Sequence, residues 1–389
     1  MLALRADRLF DGLSTPAMID PTVVVDGGRI VSVTPGGTVP PGAEELMFPG
    51  TTILPGIIDT HVHLGFDAGS DPVGPLLRAD EDELLATMRR NASRALSAGI
   101  TTLRDLGGRG FTTLALRDEA RSRPGHLPNI LVAGPPITSR GGHCHFLGGE
   151  ATGEDGLRAA VRELVARRVD VIKVMGTGGS LTPGSDPLQV QFEDGELRAA
   201  VEEAHAAGVK LTVHAHARSG VQSAVRSGAD GLEHAKFWVE DGIAPDPATL
   251  DDIARRGIWV CPTMGALPGS PPPPPAVARR LALADDLMRE MHRRGVRLVA
   301  GSDAGISPAK PHDVLSYGIE EMARAAAMTN GEALHSATAL AADCCGLPAK
   351  GRLAPGADAD IIAVGGNPLD DLGALRDVRA VFLGGRRVR

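Results

Sequence analysis

The chain has 389 residues, 43% hydrophobic and 23% charged; this suits one enzyme-sized domain, or a large domain carrying a small one, and excludes a disordered or collagen-like chain. Forty basic against 48 acidic residues leave a net charge of −8, and no basic block is long enough to follow a phosphate backbone, so nucleic acid is not an expected partner. Aromatic residues make up only 3%, with a single tyrosine, Tyr317, so base stacking is equally unexpected and Ala, Val, Leu and Ile have to fill the core.

The opening MLALRADRLFDG is broken at once by Arg5, Asp7 and Arg8, so it does not read as a secretory signal. No run approaches the roughly 20 apolar residues of a membrane span. Four cysteines, Cys144, Cys261, Cys344 and Cys345, do not make a disulfide framework. The expectation is a cytoplasmic protein without a membrane partner. Residues 1–52 are short β-type runs joined by Gly, Pro and Asp turns, and residues 353–389 read the same way. Neither flank can bury a core alone, so the two are expected to pair into a small composite β-sandwich.

Between them, residues 53–352 alternate apolar runs with amphipathic stretches, the βα signature. The runs are ILPGIIDTHVH, ITTLRDLG, NILVAGPPI, VDVIKVM, KLTVHAH, DGLEHAKF, GIWVCPTM and RLVAGSDAG. Helical spacing is clearest over 81–97, 156–168, 195–206 and 277–293. The fold class is therefore α/β, and eight such units predict a (β/α)8 TIM barrel. The prolines at 271–275 predict a stiff extended loop after the seventh strand.

Barrel enzymes keep their sites at the C-terminal ends of the strands, and there the polar residues gather. His61 and His63 stand two apart on a strand, so both side chains leave one face and can meet one metal ion. His214 and His216 repeat that spacing on the fifth strand, His234 ends the sixth and Asp303 the eighth. Lys173 ends the fourth; a buried ammonium is expensive without a partner, so it is either paired with a carboxylate or has reacted with carbon dioxide to become one. His143 and His145 lie in a glycine-rich loop beyond the third strand, as substrate contacts, further ligands or ordinary loop histidines. Arg104 and Asp105 end the second strand, as an ion pair or as support behind the ligands. His312 reads as a cap or shell residue; His126, His205, His292 and His335 read as structural.

Together GIIDTHVH, VIKVM, VHAH, LEHA, GSDAG and the terminal GRLAPGADADIIAV resemble, over nearly the whole chain, the amidohydrolase superfamily of metal-dependent hydrolases. ITSRGGHCH, VMGTGGSLTPGSDP and QFEDGELRAAVEEAHAAG are most similar to its prolidase-like dipeptidases and carboxypeptidases, with imidazolonepropionases and other cyclic-amide hydrolases as near neighbours. The resemblance implies a binuclear zinc centre. His61, His63 and Asp303 would hold one metal and His214 and His234 the other, with carboxylated Lys173 and a hydroxide bridging them.

The same resemblance implies that Asp303 takes the proton of the attacking hydroxide and passes it to the departing nitrogen, while His216 faces the substrate carbonyl. His143, His145, Arg140 and Gly178, with the other amides of the 176–180 loop, are the candidates for substrate contact. The implied activity is hydrolysis of a peptide or peptide-like amide of prolidase type, by a homo-oligomer. A cyclic amide, carbamate or modified natural-product peptide is the alternative substrate, and a non-catalytic binding protein the remote alternative. The sequence departs from the pattern at Ser139-Arg140, Cys144 and Ala235-Lys236, which bears on the substrate. Phe66, Phe146, Phe237 and Trp238 are expected to wall the substrate pocket.

Overall fold

The computed structural model describes residues 1–13, 16–271, 275–281 and 283–389. Each of the eight apolar runs contains a strand: β1 (Ile57–Val62), β2 (Ile100–Asp105), β3 (Asn129–Val132), β4 (Ile172–Met175), β5 (Leu211–Ala217), β6 (Gly231–Val239), β7 (Trp259–Cys261) and β8 (Arg297–Leu298). Strands β1, β2 and β4 are buried at every position, which explains why they appear as unbroken apolar runs and not as alternating ones.

All pairing among these eight strands is parallel. β1, β2 and β3 form one sheet, with Leu103 between Asp59 and Ile130. β4 to β8 form another in sequence order, with Val213 between Val174 and Leu232. Single parallel bridges link the two sheets on both sides: Ile137, beyond β3, pairs with Val174 of β4, and Ala304, beyond β8, pairs with Val62 of β1. The 299–304 segment continues alongside β1, where Asp303 N donates to His61 O at 2.7 Å and His63 N to Ala304 O at 3.0 Å. Gly301 permits that approach, since a Cβ there would meet Cys261 Sγ at 2.4 Å and His61 Cβ at 3.0 Å.

Helices cover the sheets. Glu81–Ser97 starts at a capping box, Asp80 accepting from Glu83 N and Glu83 reaching back, and buries Leu84, Met88 and Ala92. The 156–168 and 195–206 patterns become Gly153–Ala166 and Asp194–Ala206. The single helix expected over 277–293 is instead two, Pro275–Leu281 and Ala284–Arg293. The reason is what each half faces: Val277 and Leu281 line a cavity, whereas Leu287, Met288 and Met291 are buried in the core. Of the proline run, residues 272–274 lie outside the described residues, and Pro275 opens a helix, where its missing N–H costs nothing.

The two chain ends meet in one eight-stranded sheet among the described residues. Ile361–Gly365 runs antiparallel to Glu44–Pro55, with Ala363 opposite Ile53, and Glu44–Pro55 runs parallel to Leu2–Leu9. The run that begins at Ile53 therefore starts in this sheet and joins the parallel sheet only from Ile57. The sheet has its own core, in which Leu4, Val23, Ile53 and Ile361 pack with the edge-to-face pair Phe48 and Phe382 at 6.1 Å. Among the described residues no helix is long and apolar enough to cross a membrane.

Candidate metal centre

Six of the polar residues expected at the strand ends line one cavity of about 720 Å3: His61, His63, Lys173, His214, His234 and Asp303, joined by His143 and His216. The alternation of β1 brings His61 Nε2 and His63 Nε2 to 3.3 Å, and Asp303 Oδ1 stands 3.4 and 3.3 Å from them. On the other side His214, His216 and His234 bring one nitrogen each within 4.8 Å of the others. His216 is stacked between His234, 4.5 Å away, and Trp238, 4.7 Å away.

Each of the four histidine ligand candidates has one nitrogen committed. His61 Nδ1 donates to Glu233 Oε2 at 2.7 Å and His63 Nδ1 to Gly107 O at 3.0 Å. His214 Nε2 donates to Gly178 O at 3.1 Å and His234 Nδ1 to Thr263 Oγ1 at 2.8 Å. These acceptors fix the tautomers, so the second nitrogen of each ring is a bare lone pair. His216 Nδ1 is buried without a partner among the described residues.

Electrostatics keep four of these imidazoles neutral, whereas at His63 burial is outweighed by the hydrogen bond to Asp303, which raises that ring above its ordinary value. Burial pushes His61 down to about 4, His216 to about 3, and His214 and His234 well below their ordinary value. Burial alone would raise the Asp303 carboxyl, but His61 and His63 outweigh it and hold it below the usual carboxylate range. Neutral imidazoles with a carboxylate suit a divalent transition ion. Lys173 is 1% exposed, makes no hydrogen bond or ion pair among the described residues, and has its pKa lowered by burial. Of the two readings of Lys173, pairing with a carboxylate is therefore absent.

Behind the ligand candidates lies a network in which Arg104 stands as support, as one of its two readings had it, around Glu233, which sequence reasoning missed. Glu233 accepts from His61, from Thr212 Oγ1 at 2.7 Å and from Arg104 at 3.2 Å. Strand alternation would turn Glu233 away from the face of His234. His234, however, has φ +68°, which leaves the extended conformation and lets both neighbours serve the site. Thr263 and Asp303 share such backbone, at +56° and +59°. An Arg104–Asp105 ion pair is not formed, because adjacent strand residues point oppositely. Arg104 goes to Glu233 and Thr60 O, while Asp105 accepts from the amides of Leu64 and Gly107. His312 Nε2 donates to His63 O at 3.1 Å, a shell position.

The rim differs more from expectation. His143 packs against His214 with ring centres 4.9 Å apart, over Gly179, where a Cβ would collide with its ring at 2.4 Å. His145 instead donates to Gly142 O and packs on Phe146, and Arg140 is exposed; neither lines the cavity. Gly178 acts through its carbonyl on His214. Of the four aromatics expected in the wall only Trp238 lines the cavity; Phe66 and Phe237 are buried. The wall is mainly aliphatic, with Met175, Leu181, Leu267, Leu281 and Ile306. Lys236 and Lys310 also line it; their only signal in the sequence was the departure at Ala235-Lys236.

The model of the amidohydrolase family matches residues 52–388. The Aspergillus niger ochratoxinase is 27% identical over 369 residues, covering 85% of this chain and 73% of its own. An imidazolonepropionase of Salinispora tropica is 27% identical over 375 residues, covering 88% and 85%. Among solved structures, a Xaa-Pro dipeptidase with methionine bound in its active site superposes with a TM-score of 0.87 at 27% identity, covering 99% of both chains.

Proposed function

The chain belongs to the amidohydrolase family, and from that premise we propose that it hydrolyses a peptide or peptide-like amide, as a dipeptidase or carboxypeptidase of prolidase type. Family and relatives make it a hydrolase acting on carbon–nitrogen bonds, in a metal-dependent family. In our reading β1 to β8 close into a (β/α)8 barrel over residues 53–352, with the eight-stranded sheet of residues 1–52 and 353–389 as the composite sandwich.

His61, His63 and Asp303 would hold one zinc ion and His214 and His234 a second, with Lys173 between them as a carbamate. That carbamate forms when the Lys173 amine bonds to the carbon of carbon dioxide and releases one proton; a buried, unpaired amine of lowered pKa supports it. When bound, the metals supply a water of lowered pKa and polarise the scissile carbonyl. Asp303, kept ionised, is the base that holds the proton of the attacking water and delivers it to the leaving nitrogen. His216, lining the cavity with an uncommitted Nδ1, donates to the carbonyl oxygen as charge develops there.

The observation that carries the reading is the pair of imidazole clusters meeting Asp303 and unpaired Lys173 at one cavity. The test is a panel of dipeptides and N-acyl amino acids with metal-replete protein. Product masses should show two fragments, activity should vanish in Asp303→Asn, and metal content should fall in Lys173→Ala. A panel without turnover would remove the dipeptidase reading, and a single heavier product would replace it with ring opening.

A further inference from the structure

Two ammonium groups stand in the cavity without a role in the reaction above. Lys236 Nζ donates to Pro262 O at 2.9 Å. Lys310 Nζ donates to Thr263 O at 3.0 Å and to Ser302 O at 2.6 Å. Pro262 and Thr263 are consecutive, so both amines hang on neighbouring carbonyls of the segment that also fixes His234 through Thr263 Oγ1. Their place is therefore beside the His234 half of the centre.

Among the described residues neither lysine pairs with a carboxylate. Lys350, by contrast, is held by both Asp358 and Asp360. An ammonium has three donors, so Lys236 keeps two uncommitted and Lys310 one. Glu321 and Asp303 act on Lys236, and Asp303 and Asp59 on Lys310, only from beyond ion-pair distance, so the uncommitted donors beside a wall of Leu267, Leu281, Ile306 and Trp238 suit a ligand that brings negative charge into direct contact. A single carboxylate would leave one ammonium unmatched; two carboxylates match both.

We propose that Lys236 and Lys310 form a subsite for a dicarboxylate, so that the substrate is an amide whose released half is an acidic amino acid with its own free α-carboxylate. This rests on the amide-hydrolase reading and narrows it: the aliphatic wall takes the acyl half, and a C-terminal aspartyl or glutamyl residue takes the lysines.

The experiment compares kcat/KM of the metal-loaded enzyme on Leu-Glu, Leu-Asp, Leu-Gln, Leu-Asn and Leu-Pro, with calorimetric binding of L-glutamate and L-glutamine. A charged hydrogen bond of this kind corresponds to roughly a 10- to 100-fold effect. The acidic dipeptides should be favoured over their amides by at least about tenfold, and glutamate should bind more tightly than glutamine by a similar factor. Lys236→Gln, which keeps a donor for Pro262 O, should narrow both ratios, and Lys310→Gln is the second variant should the first not fold. Equal kcat/KM for Leu-Glu and Leu-Gln, or ratios unchanged in both variants, would overturn the subsite while leaving the amidase reading intact. Glutamate binding that depends on the lysines, without turnover of any dipeptide, would support the subsite and remove the dipeptidase reading.

Discussion

At the scale of single residues, the site works by committing one nitrogen of each ligand candidate so that the other is free. His61 shows the cost of that arrangement. Its partner Glu233 is buried with Arg104, and a buried pair broken on one side leaves an uncompensated charge. His312 offers a clean measurement of the same environment. Burial holds it neutral down to about 4, against 6.5 ordinarily. The unfolded chain therefore takes up this proton first as pH falls, so stability contributed here is complete above pH 6.5 and is lost toward pH 4. Denaturant unfolding of wild type and His312→Gln across that range should show the wild-type advantage shrinking by about 3 kcal/mol. Parallel curves would show that His312 has the same pKa in the folded and unfolded chain.

Among elements, strand ends supply the chemistry and helix starts supply the register. The helix Glu81–Ser97 buries its apolar face against β2, and its first turn depends on Asp80. Asp80→Ala should cost about 1 kcal/mol in thermal or urea unfolding and leave the preference between substrates unchanged, because Asp80 does not line the cavity. The elements were largely legible: all eight apolar runs contain strands, because burial on both faces leaves continuous hydrophobic sequence. The start of a separate helix after Leu283 was not, since leucine spacing is the same whether a side chain faces a core or a cavity. Nor was the break of alternation at His234, where positive φ is set by the packing around the site.

For the whole molecule, the two termini and the parallel strands depend on one another. Ile361–Gly365 lies between Glu44–Pro55 and Val378–Leu383, and the same Glu44–Pro55 strand leads into β1, which carries His61. Removing residues 353–389 would strip Ile361 and Phe382 from the core around Phe48 and expose a strand edge next to β1. The truncated chain should aggregate or lose its cooperative melt. A truncated protein that melted as one transition and kept its metal would show that the terminal sheet is dispensable.

The βα rhythm and the set of metal-competent side chains were legible in the chain alone, because apolar runs, helical spacing and same-face histidines are local properties, and the motifs at the strand ends carried the family resemblance. Tertiary structure decided which of those side chains meet. It brought His143 over the cavity while leaving His145 and Arg140 outside it, and drew Glu233 behind His61. It also hung Lys236 and Lys310 on neighbouring carbonyls, although 74 residues separate them in the chain. The physical reason is that a rim is built from loops of different strands, whose approach depends on backbone contacts such as that of Gly301 with Cys261, and such contacts leave no periodic trace in a sequence.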